Sequence, residues 1–212
     1  MAKGGRPSTR GGATGGLDSA DILGVTSLIS QREGSREEVD QTMTVLRDVY
    51  ERYGVDVTDA QLATIGGKGA STMAYYDSFG NLAINTKYFD AAKMDRAYDD
   101  CVKSKFHPPR GNKTGIEAVT AHELGHRLTD EVARKQGRGE WQLDAAADDL
   151  VKEAAKKSGY GNRTREFRAK ISGYGAQSNA EAVAEAFADV YCNGSKAGKE
   201  SRALVEALNK YF

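Results

Sequence analysis

Residues 119–126, Val-Thr-Ala-His-Glu-Leu-Gly-His, decide how the fold and the chemistry of this chain are interpreted. His122 and His126 are four positions apart, so on a helix they project from one face, one turn apart. At this spacing both imidazoles can reach a single zinc ion at about 2.0–2.1 Å. Glu123 projects beside that ion, where it can remove a proton from a metal-bound water. The pattern therefore indicates a helix that carries a hydrolytic metal site.

The helix around this motif is predicted over residues 115–135. On a helical wheel of about 100° per residue its polar and apolar positions separate into two faces. The motif face consists of Val119, His122, His126 and Asp130. The apolar stripe consists of Ala121, Leu124, Leu128 and Val132. The helix can thus hold a site on one face and pack into the core with another. The alternative is a buried helix whose histidines only form hydrogen bonds.

A third metal ligand has to come from elsewhere in the chain. The sequence has three histidines, and none follows His126. His107 precedes two prolines and is interpreted as a loop histidine rather than a ligand. Val132 stands where a metzincin has its third histidine, which excludes that class. A carboxylate from a later helix is the better candidate.

The helix predicted over 180–192 supplies such carboxylates. Glu181 and Glu185 lie one turn apart on one face, beside small alanines that allow a close approach to another helix. Glu181 is the candidate third ligand, and Glu185 can accept an N–H from a ligating histidine and so fix its tautomer. The alternative is that both glutamates are solvated, as charged helical faces usually are.

Two further side chains are candidates for supporting roles. Tyr174, between Gly173 and Gly175, is a loop phenol that can donate a hydrogen bond to the oxyanion of a tetrahedral intermediate. Structural packing is the alternative for this tyrosine. Asp130, one turn after His126, either orients that histidine or is a surface charge.

Two segments of the chain, residues 119–126 and 174–187, together resemble the zinc metallopeptidase domain of anthrax lethal factor and its relatives. This gluzincin-type group also occurs in proteins of phages and other mobile elements. The second segment reads Tyr-Gly-Ala-Gln-Ser-Asn-Ala-Glu-Ala-Val-Ala-Glu-Ala-Phe. It has the family's tyrosine, then the ligand glutamate seven residues on, then Ala-Glu-Ala-Phe. The resemblance covers about residues 105–192.

The resemblance implies a zincin-like fold and one zinc ion per chain. It also implies roles for six residues: zinc ligands His122, His126 and Glu181, general base Glu123, oxyanion donor Tyr174, and Glu185 as the glutamate that supports a ligating histidine. Upstream, only the predicted hairpin fits, as the edge strand with which peptidases of this type bind an extended substrate.

Elsewhere the sequence predicts a single α+β domain, mostly helical with a small sheet. Ser35 and Glu38 have the spacing of a capping box, and apolar residues recur at helical spacing up to Gly54. These signals predict a helix over 36–53. The other predicted elements are a strand at 61–65, a hairpin with strands at 72–76 and 82–86, helices at 90–104, 141–157, 180–192 and 199–211, and a loop at 171–179.

Composition and charge limit the classes of function. The chain has 212 residues, of which 39% are hydrophobic, with 30 basic and 30 acidic side chains. Zero net charge argues against an electrostatic nucleic-acid binder, and no apolar run is long enough for a bilayer. Residues 1–34 are expected to be a flexible Gly/Arg-rich tail, and residues 35–212 the metallopeptidase domain. Cys192 is interpreted as a core residue, and Cys101 has no assigned role.

Two hypotheses of different classes follow. The first is a zinc-dependent metalloendopeptidase that hydrolyses a protein or peptide substrate, including the case of an effector that cleaves a host protein. The second is a structural or assembly protein of a phage or mobile element, in which the zinc is structural or vestigial and the tail docks on a particle. No secretory signal is present, so the chain is expected to be cytoplasmic as synthesised. Virion association and signal-independent export are the alternatives.

Overall fold

Helices dominate the structure, a computed structural model that describes residues 35–67, 71–139 and 142–212. The described residues form seven α-helices and one three-stranded sheet, which confirms the predicted α+β composition. The helices are α1 (Arg36–Tyr53), α2 (Ala91–Lys103), α3 (Gly115–Lys135), α4 (Leu143–Lys157), α5 (Thr164–Ile171), α6 (Asn179–Asn193) and α7 (Lys199–Asn209). The strands are β1 (Asp59–Ala63), β2 (Ala74–Tyr76) and β3 (Asn81–Asn85). Within the described ranges, none of the helices has the length and apolarity needed to cross a membrane.

The predicted tail at residues 1–34 lies outside the described residues. Residue 141, the predicted first residue of the helix over 141–157, also lies outside them. In the described part, α1 and α3 have the limits that the sequence predicts, and the other predicted helices are present with ends that differ by a few residues. These differences are of the size expected at helix ends, which fray.

The sheet has the strand order β1-β3-β2, so that β2 is an edge strand. β1 is parallel to β3, with Asp59 opposite Asn81, and β2 is antiparallel to β3, with Tyr75 opposite Ala83. The predicted hairpin is therefore confirmed. Gly80 ends its turn with a φ of 90°, a conformation that favours glycine. β1 begins at an earlier residue than predicted.

The two helices that carry the motif residues, α3 and α6, pack closely against each other. A Cβ atom at Gly125 of α3 would lie 2.6 Å from the Cα of Ala184 and 3.2 Å from the Cβ of Phe187, both on α6. Only glycine permits this approach. Leu124 and Leu128, on the predicted apolar stripe of α3, are buried in the core. The crossing brings the glutamate-bearing helix next to the histidine-bearing helix.

Side-chain caps at the helix starts differ from the prediction in one place. The capping box lies at α3, where Glu117 accepts the Thr114 N–H at 2.8 Å and Thr114 Oγ1 accepts the Glu117 N–H at 3.2 Å. The capping box predicted at Ser35 is wrong, because Ser35 forms no side-chain cap bond. Glu38 instead accepts the backbone N–H of Ala91 at 3.0 Å, and a contact with a distant segment replaces the local one.

Helix α5 is not predicted by the sequence. It has eight residues, and its buried side chains are Phe167 and Ile171. Two apolar positions are too few to establish a helical period in a sequence. The helix ends at Ile171, the first residue of the predicted loop, and the structure confirms a loop between α5 and α6 that is one residue shorter at each end.

Candidate metal centre

His122 and His126 lie on one face of α3, with ring centroids 5.0 Å apart. Their side chains are 9% and 16% exposed. Together with Glu123 they form a group whose potential ligand atoms all lie within 4.8 Å of one another. This arrangement follows from the i, i+4 spacing on a helix. A buried group of two imidazoles and a carboxylate could hold a metal ion.

Helix α6 brings a further carboxylate, that of Glu181, to the same place. Ser178 caps α6 and its Oγ accepts the backbone N–H of Glu181 at 3.0 Å, so that Glu181 lies in the first turn of the helix. Oε2 of Glu181 lies 3.2 Å from Nε2 of His122 and 3.4 Å from Nε2 of His126. The structure thus places the predicted third ligand beside the two histidines.

The surroundings of Glu181 Oε2 test whether a metal ion fits. This atom is buried and has no hydrogen-bond partner among the described residues, although it lies within ion-pair distance of both imidazoles. Two donor atoms of a tetrahedral zinc ion, each about 2.0–2.1 Å from it, are about 3.4 Å apart. The distances of 3.2 and 3.4 Å from Glu181 Oε2 to the two Nε2 atoms therefore suit a carboxylate that shares one ion with each histidine.

The glutamates act as counter-charges for the imidazole of His122. Burial lowers the pKa of His122, but Glu181 and Glu185 outweigh this effect, so its pKa lies well above the usual value. Burial raises the pKa values of both glutamates, but the adjacent histidines outweigh this effect, and both pKa values lie below the usual range. Metal binding to an imidazole nitrogen competes with its proton, so a metal ion here would bind more weakly at acidic pH.

Glu123 lies beside the two histidines and is only 6% exposed. Burial raises the pKa of its carboxyl group, and His122 and His126 offset part of the rise. The backbone N–H of Tyr76, on the edge strand β2, also lowers this pKa. A carboxylate with a raised pKa is a stronger base than a solvated one, and this suits proton transfer near neutral pH.

Tyr174 lies in the loop before α6 and faces the metal group. Its ring stacks on His122 with centroids 5.6 Å apart and on Phe106 with centroids 4.9 Å apart. Its backbone N–H donates to the carbonyl of Phe106 at 2.9 Å. Burial and the nearby Glu181 raise the pKa of the phenol above its usual value. The phenol therefore keeps its proton at neutral pH and can donate a hydrogen bond into the site.

Glu185 lies on the other side of His122 from Glu181. Its Oε1 atom is 2.7 Å from Nδ1 of His122, whereas Glu181 approaches Nε2 of the same ring. The side chain of Glu185 is 1% exposed and that of Glu181 is 21% exposed, so the alternative of two solvated glutamates does not hold. A carboxylate at Nδ1 favours the tautomer that leaves Nε2 free for a metal.

His107 is the residue of this region whose part the sequence does not reveal. It lies in a loop, as predicted, but its Nδ1 atom forms a hydrogen bond with Oε1 of Glu185 at 2.9 Å. Its ring stacks on that of Tyr98, with centroids 5.2 Å apart and an angle of 8° between the planes. No spacing rule connects position 107 to position 185. The only available signal is that His107 is one of three histidines in the chain.

Asp130 is almost fully buried and pairs with arginines, which agrees neither with the prediction that it orients His126 nor with the prediction of a surface charge. The residue is 6% exposed. Its Oδ2 atom lies 3.1 Å from Nη2 of Arg134 and 3.6 Å from Nη1 of Arg127, and it accepts a 3.4 Å hydrogen bond from Tyr76. None of its hydrogen bonds or ion pairs in the described ranges goes to His126. The arginines at i−3 and i+4 on the same helix take its carboxylate instead.

A cavity of about 360 Å³ opens beside this group of residues. Its lining combines residues of the candidate site with apolar side chains from neighbouring elements: His122, Glu123, Met73, Tyr98, Cys101 and Val119. Cys192, by contrast, packs partly buried against the core, as predicted. The cavity is large enough for a side chain of a bound peptide.

The geometry defines a buried site of two imidazoles and two carboxylates that can hold a metal ion and has a base and a phenol beside it. Comparison of the chain with protein-family models, with curated proteins and with solved structures finds no match in any of the three. The function is therefore inferred from the residues of the site.

Proposed function

We propose that the chain is a zinc-dependent metalloendopeptidase with a zincin-like fold. The observation that carries this proposal is the buried Oε2 atom of Glu181, without a hydrogen-bond partner in the described part of the chain and 3.2 and 3.4 Å from Nε2 of His122 and His126. Two imidazoles and one carboxylate form a donor set that is typical of catalytic zinc. Glu123, buried beside them, supplies the base that hydrolysis needs.

The number of ligands favours catalysis over a structural role for the ion. Structural zinc usually has four protein ligands, whereas catalytic zinc has three and keeps one position for water or substrate. The resemblance of residues 119–126 and 174–187 to the lethal factor-like peptidases supports the same three ligands and the same base. A structural or assembly protein has no need for a buried base such as Glu123 beside its metal ligands.

Each residue of the site has a separate role in the proposed hydrolysis. A bound zinc ion supplies Lewis acidity, which polarises a carbonyl group and lowers the pKa of a coordinated water. Glu123 accepts a proton from the attacking water and passes it to the leaving amine as the C–N bond breaks. Tyr174 retains its proton and donates a hydrogen bond to the substrate oxygen that gains negative charge. Glu185 places a carboxylate oxygen 2.7 Å from Nδ1 of His122, which favours the tautomer that leaves Nε2 free.

The β2 edge of the sheet offers a place for an extended peptide. On β2 and its flanks, Met73 accepts the Asn85 N–H at 2.8 Å and Asp77 donates to the Asn81 carbonyl at 3.0 Å, both toward β3. Hydrogen-bonded pairs alternate along antiparallel strands, so Ala74 directs its backbone N–H and C=O away from β3. A substrate strand can pair with this edge and place a side chain in the cavity that Ala74 also lines.

Metal content tests the ligand set. Purified wild type and Glu181→Ala are loaded with zinc and desalted, and their zinc is measured by mass spectrometry and by competition with a chelator. We expect about one zinc per wild-type chain and an affinity at least about tenfold lower in the variant. Glu166→Ala is the matched control, because Glu166 has an exposed side chain that pairs with Arg163. Wild type without zinc, or a variant that binds zinc as tightly, contradicts the proposal.

Peptide hydrolysis tests the activity itself. The zinc-loaded protein is incubated with a mixture of unstructured peptides, and cleavage is followed by mass spectrometry with and without a chelator. We expect cleavage that stops on chelation and returns with added zinc. A zinc-loaded protein that cleaves no peptide bond in such a mixture would favour the structural or assembly protein.

A further inference from the structure

His107 has no role in the chemistry described above, yet it contacts a residue of the site. Its Nδ1 atom forms a hydrogen bond with Oε1 of Glu185 at 2.9 Å. The two side chains are 12% and 1% exposed. The hydrogen bond joins residues that are 78 positions apart in the sequence. Such a buried, long-range contact requires the tertiary fold and has no local origin.

Two histidines approach the carboxylate of Glu185, and the contact with His107 has aligned hydrogen-bond geometry. Nδ1 of His122 lies 2.7 Å from the same carboxylate oxygen, but this nitrogen is without an aligned hydrogen bond in the described part of the chain. The other carboxylate oxygen, Oε2, is buried and likewise has no partner there. A carboxylate is costly to bury without hydrogen-bond donors. The aligned hydrogen bond from His107 therefore stabilises the buried carboxylate of Glu185.

The ring of His107 is itself held in place by aromatic neighbours. It stacks on Tyr98, a residue that is 2% exposed, with an interplanar angle of 8°. The ring of Tyr174 meets it edge to face, with centroids 5.5 Å apart. The next residue, Pro108, is buried and restricts the backbone. His107 therefore presents its Nδ1–H to Glu185 from a fixed position.

The backbone before His107 explains how the loop reaches the site. Lys105 has a left-handed φ of 60°, and the N–H of Phe106 donates back to the carbonyl of Cys101 at 2.8 Å. This pattern is a Schellman motif, which ends α2 and reverses the chain. The carbonyl of Phe106 then accepts the N–H of Tyr174. One short loop thus positions both His107 and Tyr174.

We propose that His107 is a positioning residue of the metal site. Its Nδ1–H fixes the carboxylate of Glu185 against Nδ1 of His122, and this keeps Nε2 of His122 directed at the metal. The inference rests on the proposed function, because it requires a metal ion at Nε2. Outer hydrogen-bond partners of ligating histidines typically change metal affinity or activity by about 10–100-fold.

Two substitutions of His107 separate its hydrogen bond from its packing. His107→Phe keeps an aromatic ring on Tyr98 but has no donor, whereas His107→Asn loses the ring but can place an amide N–H near the position of Nδ1. Zinc affinity is measured by competition with a chromophoric chelator. We expect a loss of about 10–100-fold in His107→Phe and less than about threefold in His107→Asn. Wild-type affinity in His107→Phe, or equal losses in both variants, overturns the proposal.

A double-mutant cycle tests whether His107 acts through Glu185. In a Glu185→Gln background, His107→Phe should cause much less than its single-variant loss of zinc affinity, because the two residues act as one unit. Independent, additive losses overturn the proposed route. Circular dichroism and thermal unfolding in chelator establish that each variant folds. Should His107→Phe not fold, H107A compared with His107→Asn makes the same contrast and is judged by the same criterion.

The outcome for wild type separates this inference from the proposed function. If wild type binds no zinc after reconstitution, the proposed metal site is wrong, and the proposed role of His107 is wrong with it. If wild type and His107→Phe both cleave peptides and bind zinc with the same affinity, the proposed function stands and only the proposed role of His107 is wrong.

Discussion

Helix α3 carries two groups of buried polar side chains that differ in how completely they are paired. In the metal group, one atom each of His122, Glu181 and Glu185 is buried without a hydrogen-bond partner among the described residues. The second group surrounds Asp130, one to two turns further along α3. There Oδ2 of the carboxylate has two arginines and a phenol as partners, and no side-chain atom of this group is buried without a hydrogen-bond partner among the described residues.

The difference between these groups separates a candidate binding site from a structural ion network. A buried polar atom without a partner costs about 1–3 kcal/mol, so native proteins pair most of them. An unpartnered buried atom is tolerated where a ligand supplies the missing interaction. Oε2 of Glu181, which lies 3.2 and 3.4 Å from Nε2 of His122 and His126, has this character. The Asp130 group, in contrast, has no buried side-chain atom without a partner among the described residues and contributes to stability.

The largest expected effect comes from Glu123→Gln. The substitution removes the base but no proposed ligand, so the variant should retain zinc while hydrolysis falls by about 10³-fold or more. Peptide turnover and zinc content are measured on the same preparation. Glu131→Gln, on the same helix and paired with Arg127, is the matched control and should cleave normally. Turnover of Glu123→Gln at the wild-type rate would exclude Glu123 as the base.

A smaller loss is expected from Tyr174→Phe. The ring can still stack on His122, but the donor to the oxyanion is lost, and kcat should fall by about 100-fold with zinc content and thermal stability unchanged. Tyr191→Phe removes a phenol that donates to Asp48 and serves as the control. If kcat is the same as in wild type, Tyr174 has only a packing role.

The smallest effect on the metal site is expected from a substitution of Asp130. Asp130→Asn neutralises a buried carboxylate beside Arg127 and Arg134 and should lower the free energy of unfolding by about 1–3 kcal/mol. Zinc affinity should not change, because the hydrogen bond and ion pairs of Asp130 among the described residues go to Tyr76, Arg127 and Arg134 and not to His126. Chemical denaturation and chelator competition measure the two quantities. Weakened zinc binding with unchanged stability would instead restore the interpretation that Asp130 orients His126.

Local sequence signals were sufficient where the structure depends on local contacts. The limits of α1 and α3 agree with the prediction because helical periodicity and a terminal glycine act within a few turns, although the capping box used to predict the start of α1 does not form. The hairpin was predicted from its glycine-containing turn for the same reason. Helix α5 was missed because its eight residues hold two buried side chains and no long pattern.

The sequence by itself determined that His122 and His126 project together and that Glu123 lies beside them, because i, i+4 geometry is a property of the helix alone. Residue type and spacing also selected Glu181, whose contact with both histidines then depended on the crossing of α3 and α6 at Gly125.

The tertiary structure alone decided the partners of Glu38 and His107, and for Asp130 it decided the contact with Tyr76. Each of these side chains had a local interpretation, as a cap, as a partner of the preceding histidine or as a loop residue. Each instead contacts a distant segment or a competing charge: Ala91 for Glu38, arginines and a strand tyrosine for Asp130, and Glu185 for His107. A buried polar group binds whichever partner the fold brings within reach, and sequence spacing does not contain that information.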